Sequence, residues 1–267
     1  MKLSMLYATL DDRIISLIEN LPSKHSCTEI IIIHQAKSID KYNSNLEKIA
    51  KRNDIYYYHS NNNGVARSRN LAIEKATGDI ILFCDDDITY MEGFQDKVIQ
   101  SFSDHNNTEF ITFAYKNTVN GPWLKRFKLS TYRHTNRTIL GVGTIQVACR
   151  RETVIQYNIK FPEDMGAGTT YFLCDEPVFL SKFLKHDLPG IYIPYVLCFH
   201  PEESSGSTFN HINAFNSRIL CFTRIFGDLK GRIYYLAYIL KNIRKYNSSN
   251  LFFESIKLAF TNPSKDK

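Results

Sequence analysis

The first hundred residues alternate between two hydrophobic periods. Four apolar runs of five to eight residues predict β-strands: KLSMLYAT (2–9), EIIIIH (29–34), IYYYH (55–59) and DIILFC (79–84). Apolar residues recur at helical spacing in four other segments: Ile14/Ile15/Ile18/Leu21, Leu46/Ile49/Ala50, Val65/Ala72/Ile73/Ala76 and Phe94/Val98/Phe102. Pro22 and Gly78 are suited to end the first and third of these helices.

This alternation of strands and helices, with short connections, predicts an α/β fold with an open, mostly parallel sheet and helices on both faces. In such sheets ligands bind beyond the carboxyl ends of the strands. The fourth predicted strand ends directly in three carboxylates, Asp85, Asp86 and Asp87. Their position therefore indicates a ligand site.

The second half of the chain is less regular. Three further segments predict strands: EFITFAY (109–115), IQVACR (145–150) and IYIPYVLCFH (191–200). Residues 176–186 predict a helix. Residues 116–140 predict a long polar loop with exposed aromatic side chains, and loops of this length are usually functional or mobile.

The composition allows one large domain, or one domain with an appendage, within 267 residues. Hydrophobic residues make up 43% of the chain, which excludes disordered and collagen-like classes. No secretory signal and no apolar stretch of about 18 residues is evident, so we predict no membrane-spanning helix. The six cysteines are scattered without a CxxC pair, which favours a reducing cytoplasm over a disulfide framework.

The net charge of +6 is concentrated towards the C-terminal end. Residues 207–267 carry ten Lys/Arg and three Asp/Glu, a net charge of +7, and the remaining 206 residues sum to −1. In this region DLKGRIYYLAYILKNIRKY (228–246) combines an eight-residue apolar run with five basic residues. The pattern fits a helix lying on an anionic membrane surface, or a C-terminal helix packed on the domain with its cations in water.

The three aspartates fit more than one kind of site. Two carboxylates one residue apart, such as Asp85 and Asp87, can hold Mg²⁺ or Mn²⁺, and a cation would neutralise the repulsion between them. ILFCDDDIT (81–89) also matches the haloacid-dehalogenase phosphatases, in which Asp85 would be the nucleophile and Asp87 the acid. It matches nucleotide-sugar transferases with a DxD metal site as well. A solvated turn after a strand is the remaining alternative.

The sequence before the aspartates distinguishes these alternatives. NNNGVARSRNLAIEKATGDIILFCDDD (61–87) resembles the family 2 glycosyltransferases of the GT-A fold, of the type that builds bacterial surface polysaccharides. The positions that match in order and spacing are Gly64, Val65, Ala66, Arg69, Asn70, Gly78, Asp79 and Asp85–Asp87. The resemblance implies a GT-A fold with a Rossmann-like, mostly parallel central sheet flanked by helices. The basic C-terminal region would be a helical extension of it.

The residues before the aspartates also have a chemical use. Gly64 and Val65 open the predicted third helix, whose N-terminus offers unpaired N–H groups and the positive end of the helix dipole. Arg67 and Arg69 add cationic groups near it, and these features together suit a diphosphate. Either arginine could instead be a solvated helix residue.

A second segment, residues 161–208, resembles the other half of the family's pattern. Its matching features are a glycine turn at Gly166 and Gly168, an acidic pair at Asp175-Glu176, Pro194, His200 and a following loop at residues 203–206. The order of the acidic pair differs, because the family has Glu-Asp where this chain has Asp-Glu.

The resemblance implies catalytic and metal-binding roles for these residues. The second acid of the pair, Glu176, would be the base that activates the acceptor hydroxyl, and Asp175 is the alternative base. Either could instead be a first-turn acid favoured by the helix dipole. His200 would complete a metal shell with Asp85 and Asp87, or it would touch the diphosphate or cap the loop.

The resemblance also implies a donor site. Its predicted residues are Thr9, Asp40, Gly64, Arg67, Arg69, Asn70, Asp85 and Asp86. Thr9 ends the first strand, where relatives contact the nucleotide base. Relatives carry an acidic DDGS-like turn after the second strand, and this chain has HQAKSID there, in which Asp40 is the substitute.

These features predict a metal-dependent, inverting glycosyltransferase that uses Mn²⁺ or Mg²⁺. It would move a sugar from a nucleotide sugar, expected to be a UDP-sugar, to a glycan or lipid-linked glycan acceptor. Residues 1–206 would form the catalytic domain, with 1–115 for the donor and 116–206 for the acceptor, and 207–267 a basic amphipathic helical region. We expect a cytoplasmic protein with peripheral contact to the inner face of the membrane, and no nucleic-acid partner. A phosphatase and a non-catalytic sugar- or membrane-binding module stay as alternatives.

Overall fold

The computed structural model of the protein describes residues 1–117, 127–200 and 208–261. The predicted loop at residues 203–206 and part of the predicted loop at 116–140 therefore lie outside the described residues.

Strands and helices alternate through the first half, as the hydrophobic pattern predicts. The strands of the described residues are Leu3–Leu10 (β1), Thr28–Gln35 (β2), Ile55–Ser60 (β3), Ile80–Cys84 (β4), Thr89–Tyr90 (β5), Phe110–Lys116 (β6), Tyr132–Arg133 (β7), Val147–Arg150 (β8) and Gly190–Phe199 (β9). The α-helices are Arg13–Asn20 (α1), Asn43–Ala50 (α2), Val65–Lys75 (α3), Phe94–Asp104 (α4), Arg151–Gln156 (α5), Asp175–Lys185 (α6), Ile212–Phe226 (α7), Asp228–Lys241 (α8) and Ser249–Lys257 (α9).

One sheet joins all these strands in the order β3-β2-β1-β4-β8-β6-β9-β5, and β7 pairs with β9 beside this path. The pairs β1–β2, β2–β3 and β1–β4 are parallel, so their carboxyl ends share one edge of the sheet. Thr9 pairs with His34, and Tyr7 with Cys84, so the residues that follow β4 lie close to the end of β1.

The second half of the sheet contains both parallel and antiparallel pairs, unlike the parallel first half. β8 runs antiparallel to both β4 and β6, whereas β6 and β9 are parallel. The register of β6 against β9 shifts after Phe113, which pairs with Ile193, because Ala114 pairs with Val196. Pro194 falls in this irregularity, where the missing N–H of a proline is tolerated. The α/β fold with a sheet flanked by helices is confirmed.

Two hydrophobic clusters cover the two faces of the sheet because successive strand residues point to opposite sides. Leu6, Ile31 and Phe83 pack on one face with residues of α3 and α6. Their neighbours along the strands, such as Met5 and Leu82, pack on the other face with residues of α1 and α4. The strands that end beside the aspartate triplet are therefore packed against helices on both faces of the sheet.

The C-terminal helices have a cluster of their own, rich in aromatic residues such as Phe215, Tyr235 and Tyr246. Helix α7 also joins the main core, since Cys221 and Ile225 pack in the cluster of α3 and α6. The helical nature of this region is as predicted, and the domain boundary at residue 206 stays a prediction.

Among the helices of the described ranges, none combines the length and the apolar character required to cross a bilayer. The six cysteines all lie in described residues and all are free thiols.

Candidate functional site

The shared edge of the parallel strands carries the aspartate triplet. Asp85 follows β4 directly, and Thr9 stands near the end of β1, the strand beside it. His200 follows β9, whose last residues pair with β5 just after the triplet. Groups that are far apart in sequence therefore meet at one edge of the sheet.

Asp86 is the buried member of the triplet, with 6% of its surface exposed. Its Oδ2 accepts a hydrogen bond of 2.6 Å from Thr9 Oγ1, and its Oδ1 forms an ion pair with Nη2 of Arg13. Burial raises the pKa of Asp86, while the contacts with Thr9 and Arg13 oppose that shift. Both oxygens of Asp86 therefore have a protein partner, and its contacts hold the ends of β1 and β4 together.

Asp87 is the most exposed carboxylate of the triplet and lies between the guanidinium of Arg13 and the imidazole of His200. Its Oδ2 accepts from the same Nη2 of Arg13 at 3.0 Å, and its Oδ1 is 3.6 Å from Nε2 of His200. The structure thus places side by side two of the three residues predicted to bind a metal.

Asp85 makes its contact with helix α3. Its Oδ1 lies 3.5 Å from Nη2 of Arg69. Burial raises the pKa of Asp85, Arg69 opposes that shift, and the neighbouring Asp87 adds to it. The triplet therefore holds three carboxylates with three different environments: an anchored one, an accessible one and one paired with a buried arginine.

Arg69 links the two halves of the predicted site. Its guanidinium is buried, and Nη1 donates to Oδ2 of Asp175 at 2.7 Å and lies 3.6 Å from Oε1 of Glu176. Phe161 lies under the guanidinium, 5.3 Å from it to the ring centroid. The guanidinium of Arg69 therefore lies next to three carboxylates, those of Asp85, Asp175 and Glu176. It thus links the acidic pair of α6 to the aspartate triplet.

Asp175 and Glu176 begin helix α6 but differ in access. The side chain of Asp175 is 5% exposed, whereas that of Glu176 is 19% exposed. Burial and the Glu176 carboxylate raise the pKa of Asp175, and Arg69 opposes the shift. Glu176 Oε1 also accepts a hydrogen bond from the hydroxyl of Thr144. Glu176 is therefore the more accessible acid of the pair, held at one oxygen.

Two glycine turns from the two motifs touch each other beneath the site. Gly64 has a φ of 111° before α3, and Gly166 has a φ of 91°, which a residue with a Cβ rarely adopts. A Cβ on Gly166 would stand 2.9 Å from the carboxyl carbon of Asp175. The N–H of Val65 donates to the carbonyl of Ala167 at 3.0 Å. The turns therefore set the distance between α3 and α6.

Asn70 uses its amide within the protein. Its Nδ2 donates to the carbonyl of Phe161 at 3.1 Å and to Glu163 at 3.3 Å, and its Oδ1 accepts from the N–H of Phe161. Arg67 pairs with Glu163 at 3.3 Å on the surface rather than with the aspartates. Asp40 accepts from Ser38 at 3.0 Å at the surface after β2. The structure does not bring these three residues to the triplet, and their donor-binding roles stay predictions.

The sequence interpretation missed three residues that contact the site. Arg13 bridges Asp86 and Asp87, Thr144 holds Glu176, and Gln35 Oε1 accepts from the N–H of Gly64 at 2.9 Å. Each lies outside the stretches that resemble the family pattern, so only their position in the fold identifies them.

The side chains at this edge of the sheet are of the types that bind a hard divalent cation. Asp85 and Asp87 supply carboxylate oxygens and His200 an imidazole nitrogen, the ligands that Mn²⁺ accepts readily. In the described part of the chain, however, no three His, Cys, Asp or Glu side chains are grouped closely enough to hold a metal as they stand. Arginine guanidinium groups lie on these carboxylates instead.

A family model described as Glycosyl transferase family 2 matches residues 7–158, which is more than half of the chain. The chain belongs to glycosyl transferase family 2. The matched residues include Arg69 and the triplet but end before the acidic pair of α6. No curated protein sequence matches the chain. Family membership favours the glycosyltransferase interpretation over the phosphatase alternative.

Solved structures show the GT-A fold for this member of the family. S. aureus TarS is similar with a TM-score of 0.66 and 17% identity, over 94% of this chain and 45% of that one. Residues 1–349 of TarS in complex with UDP-GlcNAc have a TM-score of 0.64 and 17% identity, over 96% and 82% of the two chains. The mannosyltransferase PcManGT from Pyrobaculum calidifontis, in complex with GDP-Man and Mn²⁺, has a TM-score of 0.60 and 14% identity, over 98% and 81%. This chain thus spans less than half of the first of these TarS chains.

Proposed function

We propose that this family 2 protein transfers a sugar from a nucleotide sugar to a hydroxyl group of a glycan acceptor. The observation that carries the proposal is the position of Arg69, which lies 3.5 Å from Asp85 and 3.6 Å from Glu176. A donor site at the triplet and a base on α6 are thereby within reach of one substrate. The proposed donor is a UDP-sugar, in keeping with the UDP-GlcNAc complex of the similar TarS structure.

We propose that Mn²⁺ or Mg²⁺ binds at Asp85 and Asp87 with His200, while Asp86 stays anchored to Thr9. The cation would supply positive charge to the diphosphate that leaves with the nucleotide. The exposed fraction of Asp87 and its distance of 3.6 Å from His200 support this assignment. PcManGT, which is similar in fold, was solved with Mn²⁺.

Glu176 is the proposed base, and the reaction would be a direct, inverting displacement. The acceptor hydroxyl would lose its proton to Glu176 as its oxygen bonds to the anomeric carbon, and the bond to the diphosphate breaks. Thr144 and Arg69 both contact Oε1 of Glu176, and the side chain is 19% exposed, so an acceptor hydroxyl could reach the carboxylate. Asp175 is less suited because it is buried and bonded to Arg69.

The proposed acceptor is a lipid-linked intermediate of surface polysaccharide synthesis, reached at the inner face of the membrane. Helix α8 supports this with a row of exposed apolar side chains at helical spacing, Leu229, Ile233 and Leu240, which are 73%, 56% and 58% exposed. Lys230 and Lys241 flank the row, so the face combines apolar area with positive charge, as membrane-surface helices do.

The test is a turnover assay with a panel of nucleotide sugars, with Mn²⁺ or Mg²⁺, on the parent, Asp87→Ala and Glu176→Gln. Both variants should lose transfer, by roughly a hundredfold or more for Glu176→Gln. Only Asp87→Ala should lose metal-dependent nucleotide binding, measured by calorimetry. Transfer at the parent's rate by Glu176→Gln would show that the base is assigned wrongly. Nucleotide binding without any turnover by the parent would favour a non-catalytic module.

A further inference from the structure

Arg13 contacts two aspartates of the triplet, Asp86 and Asp87, and Asp87 is a proposed ligand of the cation. One nitrogen, Nη2, contacts Oδ1 of Asp86 and lies 3.0 Å from Oδ2 of Asp87. Arg13 is the first residue of helix α1, which begins just after β1. The short turn from Thr9 to Arg13 therefore brings two side chains into contact with the triplet.

The two aspartates hold Arg13 with unequal strength. Asp86 is buried and accepts a hydrogen bond from Thr9 at its other oxygen, so its carboxylate is well shielded from water. Asp87 is 39% exposed, and the Arg13 side chain is 56% exposed. Ion pairs that water can reach are weak and are easily replaced. Arg13 is therefore anchored at Asp86 and lies only loosely on Asp87.

Arg13 would repel a divalent cation bound at Asp87. A cation bound by Asp87 would sit within a few ångströms of the guanidinium, and like charges at that distance repel strongly. The oxygen of Asp87 that faces His200 is the other one, Oδ1. A cation that used both oxygens, or that approached from the side of Arg13, would have to displace the guanidinium.

We propose that Arg13 is an internal counter-cation that occupies Asp87 in the donor-free protein and competes with the divalent cation for that carboxylate. The inference rests on the proposed function, because it takes Asp87 as a metal ligand. Arg13, which lies outside the family-like motifs, would then control how tightly the metal binds before the donor has bound. An arriving diphosphate would offer Arg13 other oxygens and so release Asp87.

The test measures Mn²⁺ affinity without nucleotide, from the electron paramagnetic resonance signal of free Mn²⁺, at fixed pH and ionic strength. Arg13→Gln should bind Mn²⁺ on the order of tenfold more tightly than the parent. Arg13→Met provides a second variant in case one of them folds poorly, and melting curves check both. Lys41→Gln is the matched control, because it removes one positive charge from the ion pair with Asp12, next to Arg13 in the chain.

The outcomes separate this inference from the proposed function. Tighter Mn²⁺ binding by Arg13→Gln and not by Lys41→Gln supports the competition. Equal affinity in the parent and both Arg13 variants, with loss of binding in Asp87→Ala, overturns the role of Arg13 and leaves the metal site intact. An equal gain in Lys41→Gln also overturns it, since general charge would then be the cause. Absence of Mn²⁺ binding in every variant overturns the metal site itself.

Discussion

Arg69 and Asp175 stand 106 positions apart in the chain, and Nη1 of Arg69 donates to Oδ2 of Asp175 at 2.7 Å. Both side chains are almost fully shielded from water, with 8% and 5% exposed. Arg69 comes from the GVARSRN stretch that opens α3, and Asp175 begins α6. This buried pair therefore joins the two motifs that the sequence shows separately, and it fixes Glu176 relative to Asp85.

Arg69→Met should destabilise the protein by about 3–5 kcal/mol, because it leaves the Asp175 carboxylate buried without its partner. The free energy of unfolding in urea measures this effect. Arg67→Met is the matched control, since Arg67 pairs with Glu163 where both side chains are about half exposed. The control should change stability by less than about 1 kcal/mol. A similar loss in both variants would contradict a special role for the buried pair.

The strands that position the site could be predicted from the sequence because their residues are apolar on both faces. Thr28–Gln35 is buried along its whole length, and the predicted run of residues 29–34 lies within it. The strand predicted at residues 145–150 is shorter in the structure, because a turn at Thr144–Gln146 precedes the strand Val147–Arg150. The antiparallel direction of that strand depends on tertiary contacts, which local periodicity does not record.

The site could be predicted where the residues carry the chemistry themselves. The aspartate triplet and the pair Asp175-Glu176 are acids at the ends of elements, so their pattern is visible in the sequence. The contributions of Arg13 and Thr144 come from contacts with those acids across the fold. An arginine or threonine near a helix start is common in any protein, and no spacing rule marks these two.

Thr144→Val should lower kcat by about tenfold or more, because Glu176 loses a hydrogen bond to one carboxylate oxygen. The turn that presents Thr144 is held separately by Gln146, whose Nε2 donates to the carbonyl of Phe113 at 2.8 Å. Thr144→Ser keeps the hydroxyl and should retain most of the parent's kcat. The measurement is kcat and KM for the donor sugar at saturating metal. Equal kcat for the Val and Ser variants would mean that the hydroxyl does not position Glu176.

Ile233→Asp should weaken binding to vesicles that contain phosphatidylglycerol by roughly tenfold, because it removes apolar area and adds a charge of the wrong sign. Co-sedimentation with vesicles of increasing phosphatidylglycerol content measures the effect. Ile155→Asp is the control, since Ile155 is 49% exposed but lies on α5. Failure of the parent to bind any anionic vesicle, or equal weakening by both substitutions, would remove α8 as the membrane-facing element.

Acidification should destabilise the protein through His134, which is buried in the neutral form. Its Nε2 lies 2.7 Å from Thr112 Oγ1, its Nδ1 lies 3.0 Å from Thr138 Oγ1, and burial lowers its pKa from 6.5 to about 4. Between pH 6.5 and 4 the unfolded chain binds a proton at this histidine and the folded protein does not, so stability falls as the pH falls through that range.

The loss of folding stability caused by His134 should reach about 3 kcal/mol at the acid end of that range. His134→Phe should be less stable at pH 7, because Thr112 and Thr138 lose a partner, but its stability should fall less between pH 6.5 and 4 than the parent's. Urea unfolding of both proteins at half-unit steps of pH measures the two slopes. Parallel slopes would show that His134 is protonated in the folded protein or that its burial has little effect on its titration.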